Sequence, residues 1–168
     1  MDAKRALDES AGDFEAALQS LREKGIAKAD SRSDRESTDG AIAIAQGENA
    51  VAIVELKSET DFSAKAADFL SLTQQLADLI LAEGEEAIAT QEAAIDDLRI
   101  SKKENIQLGT VKRIPIEDGS IVDVYLHTDQ EGRGINGVIV QGNGISAETL
   151  HEVALHIAFA KPTALSRE

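Results

Sequence analysis

The chain has 168 residues, 42% of them apolar and 29% charged, a balance that supports a packed core and argues against disorder along most of its length. Thirty-one acidic residues against seventeen basic ones leave a formal net charge of −14, a field that repels phosphate backbones and anionic membrane surfaces and so argues against direct nucleic-acid or membrane binding. With no cysteine there is no disulfide framework, thiol nucleophile or thiolate metal site, which favours a reducing, cytoplasmic setting; no apolar run approaches the roughly 18 residues that span a bilayer.

Residues 2–24 read as two short helices. Ala3, Ala6 and Leu7 share one face of the first, which breaks at Gly12. Asp13 is a good N-cap for the second, where Phe14, Ala17, Leu18 and Leu21 form an apolar stripe that Gly25 is expected to end. Two such helices cannot hide both stripes from water, because helices in proteins are stabilised mostly by packing on something else. Residues 29–39, rich in Asp, Ser, Arg and Glu and lacking an apolar period, read as a linker.

Gly40–Ala45 and Ala50–Lys57 are apolar, partly β-branched runs joined by Gln46-Gly47-Glu48-Asn49, which suits a hairpin. Residues 64–82 carry Phe69, Leu72, Leu76, Leu79 and Ile80 at helical spacing and stop near Gly84, and a weaker helix is expected over 85–98. Residues 106–116, 120–127 and 135–141 then read as three strands, with Asp118-Gly119 as a turn, and an antiparallel meander is the simplest topology for them. A last helix over 147–160 has Leu150, Val153, Ala154 and Ile157 as its buried stripe, and Pro162 opposes its continuation. The expected class is therefore α+β: a short helical module over 1–28, a linker over 29–39, and two small antiparallel sheets, each covered by helices, in subdomains 40–100 and 101–168.

Two patterns look catalytic and fail on spacing. His151 and His156 stand five apart rather than the four of the zinc-protease motif, which at about 100° per residue points the imidazoles away from a common ion; Glu152, four before His156, suits an ordinary surface pair instead. Gly132-Arg133-Gly134-Ile135-Asn136-Gly137 matches a dinucleotide pattern, but Val138-Ile139-Val140 follows where a helix must begin, so these glycines belong to a hairpin connection. There is no Gly-Lys-Ser/Thr phosphate loop for a nucleotide. The basic pairs Lys102-Lys103 and Lys112-Arg113 lack the interleaved aromatics of a nucleic-acid platform.

Glu59-Thr60-Asp61-Phe62-Ser63-Ala64-Lys65 lies where a strand ends and a helix begins. Two readings fit this corner. Asp61 caps the helix while Phe62 folds onto its first turn as a hydrophobic staple, or Phe62 is held outward beside a carboxylate as an interface anchor.

The run Leu56–Lys65 closely resembles the most characteristic motif of the elongation factor Ts family. Met1–Leu7, Gly12–Ala17 and Leu21–Gly25 resemble that family's ubiquitin-associated-like N-terminal module. Glu104-Asn105-Ile106, Tyr125-Leu126-His127, His156-Ile157-Ala158 and Lys161-Pro162 are similar to its second core subdomain. The resemblance implies a cytoplasmic exchange factor that acts by binding and has no catalytic residue, metal or cofactor of its own. Its partner would be elongation factor Tu, which itself holds GDP and Mg²⁺. By the same resemblance the helical module grips the partner's GTP-binding domain, and Asp61 and Phe62, with Thr60, intrude beside the nucleotide. His127, Glu104 and Asn105 would be secondary contacts. Departures from the family pattern are Ala3 in place of a cysteine, Lys103 in place of a glycine, and the absence of a helix before Met1 and of a helical hairpin after Glu168, which imply a form truncated at both ends. The alternative is a ubiquitin-associated-like scaffold that binds a partner without exchanging its nucleotide.

Overall fold

The computed structural model describes residues 2–164. Helices α1 (Asp2–Glu9) and α2 (Phe14–Asp30) pack on each other. Asp13 caps α2, its side chain accepting from the Ala16 N–H at 3.1 Å. Contrary to the sequence expectation, α2 does not stop at Gly25 but runs to Asp30, because its later turns dock on α5 (Glu92–Lys102). Tertiary contact outweighs the helix penalty of about 1 kcal/mol for one glycine. The segment expected as a linker therefore begins inside α2, and β1 (Asp39–Gln46) starts at its far end.

Strands β1 and β2 (Ala50–Ser58) form the expected hairpin, with Asp39 opposite Ser58 and Gln46 opposite Val51. Ala41, Ala43 and Ala45 of β1 are buried, and their small side chains let helix α4 (Ala67–Glu83) lie close across the sheet. Phe69, Leu72, Leu76 and Ile80 of α4 fill the core with Val54, Leu56, Ile95 and Ile106. One helix was expected over 64–82; the chain instead makes a single turn, α3 (Asp61–Ala64), and restarts as α4 after Ala66. The weak helix expected over 85–98 is a 3₁₀ segment (Glu85–Gln91) followed by α5.

The expected meander does not form. β3 (Gln107–Pro115) pairs antiparallel with β2, giving a sheet of order β1-β2-β3, and only β4 (Ile121–Thr128) and β5 (Gly134–Gly142) make the second sheet. The reason lies in β2, where Ala50, Val51, Ala52, Val54 and Leu56 are all buried. A strand covered by α4 on one face and, through Ile53, by the second sheet on the other has little water for a free edge and needs a neighbour on each side. Asp118-Gly119 is thus a turn between sheets, closed by the Ser120 N–H donating to the Glu117 carbonyl at 3.0 Å.

Helix α6 (Ala147–Ala160) covers the second sheet through Leu150, Ala154 and Ala158, whereas Val153, expected inside, is 41% exposed. The sheet's other side leans on the first sheet through β5 against β1. Glycines allow this approach: a Cβ at Gly134 would overlap the Ile42 carbonyl oxygen, and one at Gly137 would stand 2.8 Å from Ile53 Cδ1. Gly134→Ala should therefore cost about 1–3 kcal/mol through forced separation of the sheets, read as a lower urea midpoint.

Candidate functional site

Strand β2 delivers the chain to a corner at residues 58–65. The Ser58 hydroxyl donates to the Thr60 carbonyl at 2.9 Å. Thr60 is extended (φ −129°, ψ 153°) and its Oγ1 accepts from the Ser63 N–H at 3.4 Å. Thr60, not Asp61, is the N-cap of α3, because the side chain that reaches back to the first free N–H must come from the last extended residue.

Asp61 thus falls in the first helical turn, where its carboxylate meets Lys65 Nζ at 3.0 Å; the same ammonium reaches Glu131 of the β4–β5 loop at 3.3 Å. The hydrogen bond from Lys65 holds Asp61 below the usual carboxylate range, and the hydrogen bonds to Asp61 and Glu131 raise Lys65. A depressed carboxylate stabilises the fold above its unfolded value of about 3.9, and that contribution disappears as pH falls through its folded value. Lys65→Ala should accordingly move the Asp61 carboxyl titration upward toward the ordinary range, as followed by carbon NMR.

Phe62 is 84% exposed. The staple reading therefore does not describe it: the ring is not folded beneath its own helix. A single helical turn cannot fix a side chain's direction by itself, and here the corner is braced from elsewhere. Glu104, just past the left-handed Lys103 that ends α5, turns its carboxylate to the corner. Oε2 accepts from the Glu59 and Thr60 N–H groups at 3.1 Å each, and Oε1 accepts from the Thr60 hydroxyl at 2.7 Å. In return, the Asn105 N–H donates to Glu59 Oε1 at 2.7 Å.

Asn105, expected as a partner contact, is 5% exposed. Its side-chain amide donates to the Ser33 and Arg35 carbonyls at 3.0 and 2.6 Å, and its backbone carbonyl accepts from the Ser37 hydroxyl at 2.6 Å. It ties residues 33–37 to the core, and a side chain so enclosed has no surface to offer a partner. His127 is exposed at the end of β4, where Tyr125 stacks on it at 6.2 Å and the phenol meets its Nδ1 at 3.1 Å.

Of the two histidines of α6, His151 has a structural employment. His151 Nδ1 meets Asp123 of β4 at 3.0 Å, which helps hold helix to sheet. Of the glycines of 132–137 only Gly132 lies in the hairpin connection, Gly134 and Gly137 belonging to β5; in that connection the Asp129 carboxylate accepts from the Glu131 and Arg133 N–H groups at 3.0 Å and from Arg133 Nε at 2.9 Å. Arg133 reaches onward to the Gly40 carbonyl at 3.3 Å.

Sequence reasoning missed the link from Lys65 to Glu131 and the brace from Glu104, both of which join residues far apart in the chain. It anticipated an uncovered stripe on the helical module, where Phe14 and Leu18 remain 64% and 53% exposed. Phe159 of α6, 91% exposed, gave no sequence signal, since its position follows from how α6 is rotated on the sheet.

A family model described as elongation factor TS matches residues 59–168. The chain is 39% identical over 179 residues to elongation factor Ts of Lactococcus lactis, covering all of this chain and 51% of that protein. It is 35% identical over 172 residues to the Photobacterium profundum factor and 36% over 179 to that of Clavibacter sepedonicus, covering all of this chain and 58% and 64% of those proteins. The chain thus spans between half and two thirds of the length of these curated relatives. Matched along its whole length, with the braced corner at residues 59–65 inside the region the family model covers, the chain belongs to the elongation factor Ts family.

Proposed function

We propose that this chain acts in translation elongation by binding elongation factor Tu and promoting release of its GDP, with Asp61 and Phe62 entering beside the partner's Mg²⁺ and phosphate site. The observation that supports this most directly is the 84% exposure of Phe62 on a corner braced by hydrogen bonds. An apolar ring kept in water loses favourable burial of about 2 kcal/mol, so a pocket that receives it gains that amount on binding. Exchange then follows from linkage. A protein that binds nucleotide-free partner more tightly than GDP-bound partner weakens GDP binding by the same free energy. Displacing elements around a Mg²⁺ ion that demands near-ideal octahedral geometry is an efficient way to spend that energy.

Thr60 serves as the cap that shapes the corner, and His127, exposed beside Tyr125, is a secondary contact on the second sheet. GDP and Mg²⁺ belong to the partner, and the setting is the cytoplasm. The exposed Phe14 and Leu18 of α2 favour a grip by the helical module, and would suit equally a scaffold that binds without exchange. The two readings separate in one measurement. Labelled GDP should leave elongation factor Tu faster when the chain is added in slight excess. Binding at an unchanged release rate would support the scaffold instead.

A further inference from the structure

Glu104 lies on the chain 42 residues beyond Phe62, and its carboxylate serves the corner that carries that ring. Three donors converge on it: the N–H groups of Glu59 and Thr60 on Oε2, and the Thr60 hydroxyl on Oε1. By donating its proton to Oε1, the Thr60 hydroxyl leaves its lone pairs free for the Ser63 N–H, so the cap of α3 and the Glu104 contact are two sides of one hydrogen-bonded unit. The unit is closed from the other direction by the Asn105 N–H on Glu59 Oε1, while the Asn105 side chain anchors that junction to residues 33 and 35. Helix α3 has four residues, too few to hold a conformation on their own. The far end of the turn is held by the burial of Ser63 and Ala64, and its N-terminal side, next to Phe62, is gripped by Glu104.

We infer that Glu104 is a positioning residue for the exchange wedge, which aims Phe62 through Thr60 and does not itself bind the partner. The inference rests on the proposed function. Aim matters because a misplacement of about 1 Å is enough to cost on the order of a hundredfold in a geometry-dependent step. A docking contact behaves differently, since its loss lowers affinity and leaves the bound complex's rate intact.

The test is GDP release from elongation factor Tu, measured against increasing concentration of wild type, Glu104→Ala, Glu104→Gln, Phe62→Ala and the Phe62→Ala/Glu104→Ala double variant. Glu104→Ala should lower the maximal release rate about tenfold or more while the half-saturating concentration changes by less than about threefold. Glu104→Gln should fall between it and wild type, because the amide oxygen can still accept from both backbone N–H groups but the amide nitrogen cannot accept from the Thr60 hydroxyl. In the Phe62→Ala background, removing Glu104 should have no further effect, the signature of two residues acting as one unit. Amide hydrogen exchange at Thr60 should also quicken in Glu104→Ala by more than the change in global unfolding accounts for.

A Glu104→Ala effect that adds in full to that of Phe62→Ala, or that appears only in the half-saturating concentration, would overturn the inference in favour of a direct partner contact. A variant as active as wild type would overturn it as well. Wild type that leaves GDP release unchanged would sink the functional reading itself, an outcome plainly separate from an active wild type indifferent to Glu104.

Discussion

Phe62→Ala should abolish most of the acceleration of GDP release while leaving the chain as stable as wild type. The ring is 84% exposed and caps nothing, so its removal changes folding stability by no more than about 0.5 kcal/mol, the usual range for a surface substitution away from special features. Its loss at an interface is another matter. A central aromatic anchor removed from a pocket costs about 2 kcal/mol or more, equivalent to about thirtyfold in an equilibrium constant. If that energy is realised only when the partner's nucleotide pocket is distorted, it shows in the maximal release rate rather than in affinity. Phe62→Leu should retain part of the effect, since it keeps an apolar group of shorter reach at the same corner. A Phe62→Ala protein that remains folded and releases GDP at the wild-type rate would remove the wedge from the mechanism.

Phe69→Ala should do the reverse. Phe69 sits on the next helix, fully buried at the centre of the core cluster with Leu72, Leu76 and Ile80. Truncating a buried phenylalanine costs about 3–5 kcal/mol through lost transfer energy and the cavity left behind. Against a total stability of about 5–15 kcal/mol for a domain, that is a large share. For a chain of this size it corresponds to a fall in Tm of about 6–20 °C, measurable by thermal or urea unfolding. At temperatures where the variant remains folded its exchange activity should be preserved, because the corner's own hydrogen bonds come from Glu104 and Thr60. Under the proposed function, two phenylalanines from neighbouring helices would thus separate the two requirements, Phe69 serving the fold and Phe62 the work done on a partner.

What the sequence by itself determined is what repeats locally. The hairpin of β1 and β2, the helices α4 and α6, the N-cap at Asp13 and the α+β class were legible because periodicity, turn residues and capping side chains act over a few positions. The position of the corner at Thr60-Asp61-Phe62 was legible too, through an aromatic residue standing where a strand meets a helix and through its family motif. Tertiary structure decided the rest. β3 left its expected meander because β2, buried on both faces, required a second neighbour. Helix α2 passed through Gly25 because α5 received it. Thr60 took the cap from Asp61, and Glu104 turned inward to brace it. Lys65 found a second carboxylate in a loop of the other sheet. Contacts between residues dozens of positions apart leave no period in the sequence, since their free energy appears only once the whole chain has brought them together.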